Sequence, residues 1–312
     1  MFTPATVFSI VSARRWAQIL RRSSDEHGLR ESQDQRSGIN HMLKDVPIYI
    51  ANRLIKYFGN LTKHLVGHPY HWVFPQKRFC IPKHAAPLWT SSKATLIPRN
   101  VWLTNFTNHV SLPVYLNYLV NRLLAPAHSF HFMDDNDIES FIEKNFSAEI
   151  YQDYSCLNDG AAKADYWRLL VLHKHGGIYI DMDAHFVWPL DQILKATDDE
   201  LYLKITDDQE YAITNYFIAS RAGHPHLEKI IAAVRDRIQS RMQTTAWALT
   251  GPGPMHEALL DTTVHTRKSW LVGIQGTFTN EYFQYLDKPN GKWTHTKIED
   301  TMHRPAETKK AA

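Results

Sequence analysis

Cysteine is nearly absent from this chain. Cys80 and Cys156 are the only two in 312 residues, so neither a disulfide framework nor a cysteine zinc site is to be expected. No run of about 18 apolar residues occurs, which argues against a membrane-spanning helix. Internal repeats and low-complexity tracts are missing as well. Basic residues cluster in no more than adjacent pairs such as Arg14-Arg15 and Arg21-Arg22, too little to read nucleic-acid binding from a pI near 8.7. The weak apolar stretch Phe2–Val11 is followed, not preceded, by its positive charges, the wrong order for a secretion signal. What is present is ordinary for a globular protein, with 44% apolar and 21% charged residues. Aromatics are plentiful at 12%, including nine tryptophans.

Charge is distributed unevenly. Residues 1–80 hold 12 Lys/Arg against 5 Asp/Glu, a net of +7, and the remainder holds 23 against 27, a net of −4. Residues 1–41 are largely polar and read as a disordered or weakly ordered segment. A basic helical extension is expected over 42–80, a catalytic domain over 81–298 and a polar tail over 299–312. Within the extension, Ile48, Ala51, Leu54/Ile55, Phe58, Leu61 and Leu65 recur at helical spacing, while Arg53, Lys56 and Lys63 mostly lie off that stripe. Such a helix either packs on the catalytic domain or rests on anionic lipid.

From residue 97 the pattern alternates strand and helix, which predicts an α/β fold. Strands are expected at 101–103, 129–133, 178–180, 201–205 and 212–219. Helices are expected at 114–124, 137–145, 161–175 and 225–240. Asp134-Asp135 supplies an N-cap, and Gly176-Gly177 closes the helix before the strand that runs into Asp181.

The chemistry is concentrated in Lys163-Ala-Asp-Tyr-Trp-Arg168 and His175-Gly-Gly-Ile-Tyr-Ile-Asp-Met-Asp183. Asp181 and Asp183 follow an apolar strand at i and i+2, where the turning chain can aim both carboxylates at one cation. Hard cations such as Mg²⁺ and Mn²⁺ take oxygen ligands and leave positions for substrate phosphates. Asp165 and Arg168 share one helix face at i and i+3. They form either a surface ion pair or a donor–acceptor pair suited to adjacent sugar hydroxyls.

The string A-A-K-A-D-Y-W-R, seven residues, then G-G-I-Y-I-D-M-D resembles the signature of the DXD glycosyltransferases of family 32. Ile97-Pro98-Arg99, Thr214–Ala219 with Gly223-His224-Pro225, and Thr250-Gly251-Pro252 add to the resemblance, which spans about residues 95–295. It implies a GT-A-like fold, a central mixed sheet flanked by helices, here with an N-terminal helical extension. Further implications are a UDP- or GDP-sugar donor, Mn²⁺ or Mg²⁺, and retention of anomeric configuration. Carried onto this chain, Asp181, Asp183, Asp165 and Arg168 are the catalytic set, with Asp183 and Asp181 at the metal. Trp102, Ala161, Ala162, Asp165, Arg168, Asp181 and Asn215 would contact the donor, and His295 is a candidate third metal ligand. The acceptor is expected to be a glycan of an envelope polysaccharide or lipooligosaccharide, built at the cytoplasmic face of a bacterial membrane with peripheral contact to anionic lipid. Rival readings are a toxin-like protein glycosylase, an inactive carbohydrate- or nucleotide-binding protein, and a dehalogenase-type phosphatase. The last needs Thr or Val where His185 stands.

Overall fold

The computed structural model describes residues 45–205 and 213–303. The expectations for 1–41 and for the tail beyond 303 lie outside the described residues. The chain divides into two compact units, residues 1–50 and 51–312. Of the first, residues 45–50 are described, and they are helical.

The second unit opens with a helix over 51–62, widens into a π-turn at Lys63–Gly67 and resumes as an α-helix at His68–Val73. The α/β succession follows in chain order: β1 (His84–Ala85), β2 (Asn100–Thr104), α1 (Leu112–Leu124), β3 (Ser129–Met133), α2 (Asp135–Asn145), α3 (Ala148–Ser155) and α4 (Gly160–His175). Then come β4 (Gly177–Ile180), β5 (Ala184–Phe186), β6 (Glu200–Lys204), β7 (Ile213–Ser220), α5 (Pro225–Gln239), α6 (Pro252–Leu259), β8 (Thr266–Lys268) and β9 (Gly273–Gln275). Seven strands form one mixed sheet in the order β8-β6-β7-β4-β2-β3-β1. β4 runs parallel to β2 and antiparallel to β7. A separate ribbon pairs β9 with β5 antiparallel. The α/β expectation therefore holds, with helices packed around a mixed sheet.

Local chemistry accounts for the elements that position the site. Asp134 caps α2 and forms a reciprocal capping box with Asp137. Asp159 caps α4, its Oδ1 accepting the amides of Ala161 and Ala162 at 2.9 Å each. α4 ends at Gly176, whose φ of 64° is the left-handed conformation glycine tolerates. Gly177, at φ 109°, also leaves room for β2: a Cβ there would lie 2.5 Å from the Asn100 carbonyl oxygen. Trp167 and Leu169–Leu172 of α4 are fully buried in a core shared with α5 and α6.

One expectation is narrowed and one changes. Leu54, Phe58, Leu61 and Leu65 of the N-terminal stripe are exposed, while Ile48 is buried and Ala51 and Ile55 are half-buried, so most of the stripe does not take the packed alternative. The inward face of this helix carries Asn52, Gly59, Lys63, Gly67 and His71 instead. The tail boundary at 299 also falls too early. Met302 is buried and bridges to Leu157, and the Thr301 carbonyl accepts the amides of Asn158 and Asp159.

Candidate active site

β4 delivers Asp181 at its C-terminal end, where open sheets present ligand sites. The Asp181 amide still donates to the Tyr216 carbonyl at 2.9 Å, so the residue keeps sheet register beyond the strand. A tight turn then presents Asp183 and closes with Ala184 N–H donating to the Asp181 carbonyl at 3.0 Å. Both carboxylates open into a cleft of about 550 Å³ that Asp165, Arg168 and Asn215 also line.

Arg168 ties the carboxylates together. Its Nη2 reaches Asp165 Oδ1 at 2.6 Å and its Nη1 lies 3.3 Å from Asp181 Oδ1. Nη1 also donates to the Asn215 carbonyl at 2.6 Å, and Nε donates to the Ala164 carbonyl at 3.3 Å. The guanidinium lies 4.2 Å from the Tyr179 ring centroid. A guanidinium has five N–H donors, and these contacts leave it one on Nη2. The i,i+3 pair is thus buried, with side chains 5% and 10% exposed, which excludes the solvated surface pair.

The surrounding polar groups converge on the same carboxylates. Tyr179 Oη donates to Asp181 Oδ1 at 2.7 Å, and Asn215 Nδ2 donates to Asp165 Oδ1 at 2.8 Å. Gln275 Nε2 donates to Asp181 Oδ2 at 2.9 Å and to Asp183 Oδ1 at 3.2 Å. Burial pushes the Asp165 carboxyl up to about 7 against the pull of Arg168. Burial, and then the Asp181 charge, push Asp183 up to about 7. Asp181 is raised by burial and held down in part by Arg168. Two neighbouring carboxylates with a single guanidinium beside them are short of positive charge. Their oxygen donors suit a hard divalent cation, which would complete its shell with water or phosphate oxygen.

Residues 101–199 match the family described as the glycosyltransferase sugar-binding region containing a DXD motif. The chain is similar to an uncharacterized glycosyltransferase of Acanthamoeba polyphaga mimivirus, 33% identical over 139 residues, or 43% of this chain and 53% of that one. An initiation-specific α-1,6-mannosyltransferase of Schizosaccharomyces pombe is 24% identical over 251 residues, 70% of this chain and 58% of its own. The chain thus spans about half the length of these curated relatives. Among solved structures, the PaToxG glycosyltransferase aligns with a TM-score of 0.45 at 17% identity, covering 70% of this chain and 80% of that one.

The structure moves three of the sequence-predicted residues out of the DXD cleft. Trp102 lies in the core, its Nε1 donating to the Gly176 carbonyl at 2.9 Å and its ring stacked on His131. A strand-central indole flanked by two covered strands has no face to offer a base. Thr104, Asn105 and Phe106, just beyond it, line the cleft instead. Ala162 is fully buried in the same core, whereas Ala161 does line the cleft. His295 sits in an exposed turn with Nε2 2.6 Å from Glu281 Oε1, and does not line the cleft. Sequence reading also missed Gln275. Its signal is topological, since β9 pairs with β5 so that Gln275 lies opposite Ala184, next to Asp183.

Glu200, His224 and His226 form the other cluster of metal-ligand type among the described residues. Its groups are already matched to one another. His226 Nδ1 lies 2.8 Å from Glu200 Oε2, and His224 Nδ1 accepts the His226 amide as the N-cap of α5. Glu200 Oε1 accepts the His265 amide at 3.1 Å. Hydrogen bonding and capping therefore account for this cluster.

Proposed function

We propose that this protein is a retaining, metal-dependent glycosyltransferase of GT-A type. In this reading it moves a sugar from a UDP- or GDP-sugar to a glycan acceptor of an envelope polysaccharide or lipooligosaccharide. The observation that carries it is the convergence of the DXD carboxylates with the buried Asp165–Arg168 pair in one cleft. Work at the cytoplasmic face of a bacterial membrane belongs to the same reading.

Asp183 and Asp181 would hold Mn²⁺ or Mg²⁺, which stabilises negative charge on a leaving nucleoside diphosphate. The protein's own residues do the positioning. Arg168 and Gln275 hold the two oxygens of Asp181 and Gln275 also holds Asp183, so neither aspartate must reorganise when a donor enters. Asp165 accepts hydrogen bonds and, with the remaining Nη2 N–H of Arg168, can bind neighbouring sugar hydroxyls. Asn215 holds Asp165, and Ala161 leaves space at the start of α4 for the donor to approach.

The test is a screen of nucleotide sugars for Mn²⁺-dependent release of nucleoside diphosphate, with and without glycan acceptors. Asp183→Ala should keep the fold and lose turnover by more than about 100-fold, since the metal's contribution is several kcal/mol. Near-normal turnover of that variant at saturating metal removes the metal role. Transfer to protein but not to glycan would instead select the toxin-like reading.

A further inference from the structure

The helical stretch 51–73 is amphipathic in the reverse sense. Its inward side is polar or bare. Asn52 Nδ2 donates to the Trp270 carbonyl at 2.8 Å, Lys63 Nζ donates to the Gly276 carbonyl at 3.1 Å, and His71 Nε2 accepts the Leu112 amide at 3.0 Å. Gly59 and Gly67 complete this side. A Cβ on Gly59 would lie 2.5 Å from Thr277 Cγ2, and one on Gly67 2.7 Å from Pro113 Cγ. Positions 59, 63, 67 and 71 are four apart, a step that drifts around a 3.6-residue helix. The π-turn at Lys63–Gly67 keeps them on one side.

The outward side is apolar: Leu54, Tyr57, Phe58 and Leu65 are all more than half exposed, and Trp72 is 85% exposed. A surface of this kind marks a contact that the described residues leave open. Charge selects the occupant. Apart from the inward Lys63 and from Arg78, which pairs with Asp287 at 2.6 Å, residues 51–80 contain Arg53, Lys56 and Lys77 and no acidic residue. A second copy packed symmetrically on this face would set like charges against each other. Residues 1–44 hold seven Lys/Arg against four Asp/Glu, so their charge does not complement this face either. An anionic bilayer supplies both an apolar boundary and negative charge, and it favours Trp and Tyr at its interface. No described helix is long and apolar enough to cross a membrane.

The inward side seats a segment of the cleft. Gly276, Thr277, Phe278 and Phe283 lie against this helix, and Gln275, Asn280, Glu281 and Gln284 from the same stretch line the cleft. We propose that the outward face of 51–73 lies on an anionic membrane surface and thereby brings this wall of the cleft to the lipid, where a lipid-linked acceptor would be met. The acceptor clause rests on the glycosyltransferase reading; the membrane contact does not.

Full-length protein should sediment with phosphatidylcholine vesicles containing phosphatidylglycerol at low salt, and much less with phosphatidylcholine alone. Leu65→Glu combined with Trp72→Glu should weaken binding at least about tenfold, because each substitution removes an apolar anchor and adds a repelled charge. Donor hydrolysis by this variant should match the parent, which verifies its fold. Leu65→Ser, with its milder change, should weaken binding in the same direction. Failure of the parent to bind anionic vesicles overturns the proposal, as does a double variant that binds like the parent. A parent dimer that the double variant converts to monomer, with vesicle binding unchanged, assigns the face to a second copy and overturns it too. Vesicle binding needs neither donor nor metal, so its failure would leave the transferase reading standing.

Discussion

Helix α4 and the helical stretch 51–73 both mix charged, polar and apolar residues, but they distribute them in opposite ways. α4 buries Asp165 and Arg168 and sustains them with one another, with Asp181 and with Asn215. The stretch 51–73 buries glycine, asparagine, lysine and histidine, and leaves leucine and aromatics outside. In α4 the cost of burying charge is offset by pairing within the protein. At 51–73 the apolar face has no partner within the described protein. Periodicity reveals that a helix has two faces, but not which of them the protein keeps.

The pair in α4 offers the largest way to break this comparison. Arg168→Ala leaves Asp165 and Asp181 buried without their counter-charge, and should cost about 3–5 kcal/mol of folding stability in urea titrations. A loss under about 1 kcal/mol would mean the pair is solvated like any surface pair. Arg168→Lys should fold better than the alanine variant, yet still lose on the order of 100-fold in turnover. An ammonium cannot serve Asp165, Asp181 and two carbonyls from one planar fork, and a misplacement of about 1 Å has that effect.

Next in size is the packing of 51–73. Gly59→Val should destabilise by about 1–3 kcal/mol, because its Cβ meets Thr277 at less than contact distance. Leu65→Gln on the outward side should stay within about 0.5 kcal/mol in the absence of vesicles. Thermal unfolding of both variants checks this. Equal losses would mean that the stretch is seated by its apolar side after all.

The smallest effect concerns pH. Burial lowers the His71 pKa below its usual value, with Arg78 and His68 adding to the shift and Asp287 opposing it. Neutral His71 accepts the Leu112 amide; protonated, it cannot. A histidine whose folded pKa lies below its unfolded value contributes stability above about 6.5 that is lost as pH falls through the folded value. Hydrogen exchange should therefore loosen 51–73 between pH 7 and pH 5 while α4 stays protected. Uniform protection at both pH values would remove His71 from the seating.

Much of the catalytic region was legible in the sequence because its signals are local. The Asp134 cap, the Gly176-Gly177 stop and the apolar strand into Asp181 each depend on a few neighbouring residues, and helix α4 and strand β4 form where they predict. Asp165, Arg168, Asp181, Asp183 and Asn215 do share one cleft. Misreadings arose where a position is decided by what lies across the sheet. Trp102 is central in β2, between β3 and β4, so its ring is covered whatever its spacing from Ile97-Pro98. Gln275 reaches the aspartates only through pairing with residues some 90 positions earlier. The stripe over 48–65 had the right period but left two readings open, and two glycines and three polar anchors outweigh its leucines in choosing the inner face.

The C-terminal stretch bears on how this cleft comes into being. The Thr301 carbonyl holds the Asn158 and Asp159 amides, and Thr296 donates its hydroxyl to the Asp159 carboxylate that caps α4. The helix bearing Asp165 and Arg168 is therefore fastened at its start by residues translated about 140 positions later. A nascent chain still holding residue 301 in the ribosome has Asp165, Asp181 and Asp183 outside but lacks that fastening. On this ordering the cleft matures only after residues 296–301 are free to fold back, and chains halted just before residue 296 should accumulate with an α4 start that proteases reach, while release of a few more residues closes it.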